Sequence, residues 1–475
     1  MLSQAGQLDA AFFEDLRARE FSRLDRRGIA YLDFAASGLY AASQATAYAD
    51  LLADGVFGNP HSEHRPSRDS MAAIDAARTA LLQAIGLSAD DYTVCFTANT
   101  SAAIKLVAEA WPFAPRRGLV LSQDNHNSVN GIREYARAAG APVTVLPLDV
   151  DLRLDDAEAR LAALPEGKGG LLAFPAQSNF SGVQHPLRLI GAAKAKGYDV
   201  LVDAAGLSPG GCAALGACPA DFIALSFYKL FGLPTGVGAL VARHDALARL
   251  RRPWFAGGTV DFVSIELDRH QLQRGAEGFH DGTPNFLGIA AVPHGLALLR
   301  ALDPHRIGRR INALATDLLG RLQELCHADG APMVRLYGPG ELDARGATFA
   351  FNLLSPDGVP LPYAEVERAT ADQGVAIRGG CFCNPGASER AFGFQGSEVA
   401  RCLAAVGKDF SIARFAQCMG SEQPVGALRI SLGYPTIAAD LDRTVALIES
   451  CAGRTRLHGP PAATVPASDV MMRPR

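Results

Sequence analysis

Of the 475 residues, 48% are hydrophobic and 20% charged, with 45 basic against 49 acidic side chains and a formal net charge of −4. That balance lacks the basic excess of a nucleic-acid binder, and the apolar content is too high for a disordered chain. No stretch of about 18 residues is apolar and free of Gly, Pro and charge, so no membrane span is expected, and the N-terminal MLSQAGQLDAAFFEDLRARE carries acids where a signal peptide has its apolar core.

The length suggests two or three units, or one large α/β core plus a smaller domain. From about residue 90, short apolar runs alternate with helical patterns. The predicted strands are YTVCFTA (92–98), GLVLSQ (118–123), VTVLPL (143–148), GLLAFPA (170–176), DVLVDAA (199–205), FIALSF (222–227) and GALVAR (238–243). Most are continuous rather than alternating, as in strands covered on both faces. Helical stretches such as SAAIKLVAEAW, GIREYARAAG and PLRLIGAAKAKG lie between them. The expectation is an α/β fold with a mostly parallel seven-stranded sheet, flanking helices and ligands at the carboxyl ends of the strands. After about residue 290, IAAVPHGLALLRAL and HRIGRRINALATDLLGRLQELC read as long helices, followed by the strand-like ATFAFNLL, GVAIRG and GALRISLG, a smaller α+β domain. Residues 459–475, GPPAATVPASDVMMRPR, read as a flexible tail.

Only six of the 45 basic residues are lysine, which narrows any search for an amine nucleophile. Lys168 sits in the turn EGKGG, Lys194 and Lys196 end a helix, Lys408 follows Gly407, and Lys105 lies on a helix within reach of solvent. Lys229 differs, because it follows a buried-type strand in ADFIALSFYKLFGLPTGVGAL. The local pattern fits either a lysine snorkelling at a strand edge or an amine kept reactive by desolvation. Asp203 closes the neighbouring strand DVLVDAAG, either as a turn or N-cap acid or as a carboxylate that keeps a pyridinium nitrogen protonated.

With YLDFAASG, GNPH, FTANTSAAIKLVA, DNHNSV, PAQSNFSG, VLVDAAG, SFYKLFG, FHDGTPN and ALRISLG in this order, the chain from about residue 30 to 450 resembles fold-type I enzymes of the class V aminotransferase family, which use pyridoxal 5'-phosphate (PLP). Within it, the chain looks most like the cysteine desulfurase branch, and SFYK-FG-PTG-GAL with the later C-F-C-N-P-G is most similar to the PLP domain of molybdenum cofactor sulfurases. The resemblance implies an N-terminal segment (1–30) packing with the small domain, a large PLP-binding domain (31–290) and a small C-terminal domain (291–458). Only a short tail follows residue 458. The C-terminal domain that full-length sulfurases carry for the molybdenum cofactor is therefore expected to be missing or to be a separate protein.

The resemblance makes Lys229 the Schiff-base lysine and Asp203 the partner of the pyridine nitrogen. Thr100 and Ser101, opening a helix after VCFTA, would cradle the phosphate, as free amides and hydroxyls at a helix N-terminus can; alone they read as an ordinary N-cap pair. Ser226 would add a phosphate contact. Gly282 and Thr283 would reach a phosphate across a homodimer interface. His126 corresponds to the histidine stacked on the PLP ring, although a lone histidine is usually a surface or satisfied residue. Asn179 corresponds to the asparagine near the cofactor's phenolic oxygen and the substrate. Arg429 corresponds to the arginine that grips the substrate carboxylate; by itself, on an alternating strand, it reads as a solvated face residue. The chain departs from the family at Gly206, often Gln, His or Ser, and at Tyr228, where many desulfurases have His; the latter is shared with the sulfurase pattern.

The nine cysteines, an odd number spread over a long chain, read as cytosolic thiols rather than a disulfide framework, so a cytoplasmic protein is expected. Cys95 reads as core. In GVAIRGGCFCNPGASER, Cys381 and Cys383 sit in a glycine-rich loop beside Arg378, a setting that favours thiolate; a metal pair or incidental thiols are the alternatives. Aligned to the desulfurase loop, Cys383 falls on the nucleophile and Cys381 on a neighbour, and Ser388 occupies the position of a third sulfurase cysteine. The implied activity is L-cysteine desulfuration to alanine with a persulfide on Cys383, passed to molybdenum cofactor or an acceptor protein. Another PLP reaction (an aminotransferase or selenocysteine lyase) and a non-catalytic sulfur carrier remain as alternatives. No metal, nucleic acid or membrane is expected.

Overall fold

The structure is a computed structural model, described here for residues 4–166, 169–420 and 424–455. Lys168 and the expected tail at 459–475 lie outside the described residues.

All seven predicted strands form, each within a residue or two of its apolar run. They are Tyr92–Thr97 (β1), Leu119–Ser122 (β2), Val143–Leu146 (β3), Gly170–Pro175 (β4), Tyr198–Asp203 (β5), Phe222–Ser226 (β6) and Gly238–Arg243 (β7). They make one sheet in the order β1-β7-β6-β5-β4-β2-β3. Every pairing is parallel except those of β7, which runs antiparallel to both β1 and β6. The central strands β4 and β6 are buried along their whole length, which explains their unbroken apolar runs. Because β7 is reversed, its first residue, Gly238, lies level with Thr97 and Ser226, the last residues of β1 and β6. A Cβ on Gly238 would meet the Asn99 backbone at 2.6 Å, so only glycine lets those two strand ends come so close.

A four-stranded antiparallel sheet of Val334–Tyr337 (β8), Thr348–Leu353 (β9), Arg378–Gly380 (β10) and Ala427–Ser431 (β11), in the order β8-β9-β11-β10, follows in the later part of the chain. The helix Gln4–Glu20 is fastened to later elements: Arg17 is buried and pairs with Asp440 at 2.8 Å, and Asp9 pairs with Arg306 at 2.6 Å. Two predicted elements divide. The helix expected from residue 289 is Phe286–Ala290 followed by Val292–Leu302, because Pro293 lacks the N–H that would continue the first turn. GVAIRG splits into Val375–Ala376, paired with Ala30–Tyr31, and β10. A hairpin of Val260–Ser264 and Arg269–Leu272, for which the sequence pattern carried no expectation, projects with Ile265 exposed.

The reading of all nine cysteines as thiols is corrected. Cys402 and Cys418 form a disulfide, with Cα atoms 5.6 Å apart, between the helices Gly396–Val406 and Ile412–Met419. The pairing depends on how two helices cross, which a spacing of 16 residues does not reveal. Cys95 is core as expected, its thiol pushed up to about 12 by burial.

Candidate active site

The carboxyl ends of β1, β4, β5 and β6 open on one cavity of about 150 Å3. Thr100, Ser101, His126, Asn179, Asp203, Ser226 and Lys229 all line it. Lys229 is on the short helix Phe227–Phe231 that β6 runs into, one turn past the strand end. Burial drives its amine below the ordinary lysine value, with nearby Arg429 and Arg378 in the same direction, while Asp203 and Cys383 favour the ammonium. Asp203 is buried, and one carboxylate oxygen accepts from Ala205 N at 2.9 Å, so the turn-acid role and a place in the cavity coexist.

Asn99 caps the helix Thr100–Ala110, its side chain accepting from Ala102 N at 3.0 Å. At that helix start the Ser226 hydroxyl receives Thr100 N at 2.8 Å and lies 2.6 Å from Thr100 Oγ1, across the gap that Gly238 leaves open. Ser101 shares a hydrogen bond with Ser128, a fourth hydroxyl that sequence reasoning passed over although it stands in DNHNSV two residues after His126. His126 accepts from Ser128 N at 3.1 Å through Nδ1, and burial holds its imidazole below the usual value, that is, neutral. The family departure at Gly206 has a steric reason here: a Cβ would meet Gln177 O at 2.5 Å, while Gln177 donates to Gly206 O at 2.8 Å.

The two-cysteine loop lies against the cavity. Asn127 N donates to Cys383 O at 2.7 Å, and Asn179 Nδ2 to Phe382 O at 2.7 Å. Both thiols are exposed, with the Phe382 ring buried between them. Arg378, beside this loop in the chain, grips Asp33 with its guanidinium at 2.9 and 2.7 Å. Ser388 is buried and donates to Pro385 O at 2.8 Å, so it faces its own helix.

Arg429 is no solvated face residue. It is 2% exposed, pairs with Asp33 at 2.9 Å, donates to Asn179 O at 2.8 Å and stacks over Phe382 at 4.7 Å, and its buried Nε has no partner. It stands beside the cavity, close enough to bias both Lys229 and His126. Asp33 is the group that sequence reasoning missed; it stands in YLDFAASG, far in sequence from both of its arginine partners. Gly282 and Thr283 are not brought to this cavity within the chain. They line a second one with Phe96 and Thr97, where Asn59 donates to Thr283 at 3.3 Å.

The aminotransferase class-V family model matches residues 30–443. The chain is 35% identical to a molybdenum cofactor sulfurase of Arabidopsis thaliana over 92% of its own length and 58% of that protein. It is 36% identical to one of Anopheles gambiae over 93% and 59%, and 35% identical to one of Homo sapiens over 94% and 51%. It thus spans little more than half the length of these curated relatives. Its fold is that of solved cysteine desulfurases. The apo enzyme of Thermococcus onnurineus NA1 superposes with a TM-score of 0.72 at 23% identity, covering 92% of this chain and 98% of that one. An Escherichia coli cysteine desulfurase gives 0.71 at 22%, covering 95% and 98%. Family and fold imply dependence on PLP, and the donor set suits it: a desolvated amine, a carboxylate at the next strand end, and hydroxyls gathered at a helix N-terminus.

Proposed function

The chain belongs to the aminotransferase class-V family, and from that premise we propose that it is a PLP-dependent L-cysteine desulfurase of the molybdenum cofactor sulfurase type. In this reading it forms alanine and a persulfide on Cys383 that passes to molybdenum cofactor or to an acceptor protein. It acts in the cytoplasm as a homodimer in which Gly282 and Thr283 serve the partner's phosphate. The observation that carries the reading is the seating of the Cys383 loop, through Asn127 and Asn179, against the cavity that holds Lys229 and Asp203.

When bound, PLP supplies an aldehyde carbon for amines and an electron sink for the substrate's Cα. Lys229, its amine shifted towards the neutral form by burial, would hold that aldehyde and then move the Cα proton. Asp203 would keep the ring nitrogen protonated, Thr100, Ser101, Ser226 and the additional Ser128 would bind the phosphate, and neutral His126 would flank the ring without adding charge. Arg429, beside the cavity, stacked on Phe382 and donating to Asn179 O, would hold the substrate carboxylate and so orient the thiol towards Cys383. The Cys383 thiolate forms the new S–S bond while the substrate's Cβ–S bond breaks, and the electron pair left on carbon is quenched by a proton to give alanine.

Alanine formed from cysteine is measured with the wild type and with Cys383→Ala. The expected result is near-complete loss in the variant; equal alanine from both sinks the assignment of the nucleophile.

A further inference from the structure

Directly after Cys383 stands a side chain that the proposed chemistry does not use. Asn384 is fully buried. Its Nδ2 donates to Asp124 Oδ1 at 2.6 Å and to Asn179 Oδ1 at 3.0 Å, and its Oδ1 accepts from Ala387 N at 3.2 Å, capping the helix Pro385–Phe392. Asp124 is equally buried and also receives Ser178 Oγ at 2.8 Å and His185 Nε2 at 2.8 Å. Besides Asn384, two donors outside the loop, Ser178 and His185, converge on this carboxylate and hold Asp124 in place whatever the loop does. Against this stands backbone strain: Phe382 and Cys383 have φ of 55° and 56°, the left-handed region that residues with a Cβ avoid. Such a backbone persists only where its surroundings over-determine it.

We propose that Asn384 is a positioning residue, a latch on Asp124 that holds the strained Phe382–Cys383 pair in its seat and sets the balance between a seated and a released loop. The proposal rests on the reading of Cys383 as sulfur acceptor. A nucleophile that takes sulfur inside and delivers it outside needs both positions. Strain favours release, and the buried amide–carboxylate bond favours the seat. The Asn127 main-chain bond and the Asn179 side-chain bond also seat the loop, ending on the carbonyls of the two strained residues, and Asn384 adds to them a contact with a buried carboxylate. Aspartate at 384 has the same shape and still caps the helix, but it sets two carboxylates at the 2.6 Å contact. Asp124→Asn combined with Asn384→Asp restores a donor facing an acceptor there and leaves a carbonyl for His185.

The variants Asn384→Asp, Asn384→Ala and Asp124→Asn/Asn384→Asp are compared with wild type in two measurements. In cofactor-free full-length protein, amide hydrogen exchange across residues 380–388 is expected to rise about tenfold in both single variants, as loss of one charge-assisted hydrogen bond implies. Exchange in the helix Thr100–Ala110 should stay unchanged, and the double variant should return towards wild type. In the loaded enzyme, kcat for alanine is expected to fall at least tenfold in Asn384→Asp with KM for cysteine within twofold, since Lys229 and Arg429 are untouched. Wild-type exchange in both single variants overturns the latch, as does a rise of KM that matches the loss of kcat. A wild-type protein that makes no alanine overturns the proposed function instead, and the exchange data then decide the latch alone.

Discussion

Asp33→Ala removes the anion that Arg429 and Arg378 share. The two legs differ in depth. Arg429 is 2% exposed and reaches Asp33 at 2.9 Å, whereas the Arg378 side chain is 48% exposed and reaches it at 2.7 Å. At an effective dielectric near 20, charges about 3 Å apart attract by about 6 kcal/mol before desolvation is counted. Removing one partner of a buried pair leaves the other charge uncompensated, at a cost of about 3–5 kcal/mol. Losing an exposed leg costs about 1 kcal/mol or less, because a freed guanidinium is solvated by water. Urea unfolding of the cofactor-free protein should therefore show Asp33→Ala losing about 3–5 kcal/mol, with Asp33→Asn between it and wild type because its carbonyl still accepts. Arg378→Ala should lose about 1 kcal/mol or less. A loss below about 1 kcal/mol in Asp33→Ala, or an equal loss in Arg378→Ala, refutes the view that Asp33 is there for the buried arginine.

Lys229→Met should stabilise the cofactor-free protein at pH 7 while abolishing cofactor attachment. Burial places the native amine below its ordinary 10.5, so the unfolded chain binds the extra proton, and the gain in urea midpoint should fade as pH rises towards 10.5. His280, 4% exposed, is pushed down to about 4 from 6.5 by burial, with Arg78 next in effect. Between those values the unfolded chain takes up the proton first, so stability should fall by about 3 kcal/mol as pH drops from 6.5 to 4. Stability of His280→Gln plotted against pH should lack that slope, and an unchanged slope rejects the account. Cys402→Ser opens a loop of 16 residues, for which chain entropy gives about 3 kcal/mol. Trypsin should then cut faster at Lys408, in the turn between the two helices, with alanine formation at the wild-type rate; unchanged cutting counts against a stapling role.

The large sheet was legible because buried parallel strands leave unbroken apolar runs, and runs of that kind end where ligands bind. Asp203 and Ser226 could therefore be placed at strand ends, and Lys229 just beyond one, from local pattern. The roles of Arg429 and Cys383 came from resemblance, since an arginine on β11 looks like any surface arginine until its burial is seen. What stayed hidden has one cause. Asp33 with its arginines, Asn384 with Asp124, and the Cys402–Cys418 bond are pairs set by tertiary packing, with no periodicity to mark them. The break at Pro293 was readable from the proline but was absorbed into a long apolar pattern.

The reversed strand β7 has a consequence for the order of biosynthesis. Thr100 N and Oγ1 meet Ser226 Oγ beside Gly238, so the hydroxyl cradle needs residues 92–100 and 222–243 paired in the same sheet. At 5–20 residues per second, a ribosome that has made Thr100 works on for roughly 10–30 s before the reversed strand leaves it. For that interval the N-terminal part of the nascent chain has the strand Tyr92–Thr97 without its partner and Thr100 without Ser226. The hydroxyl cluster is thus completed late in synthesis, and until then the strand Tyr92–Thr97 keeps its pairing edge uncovered.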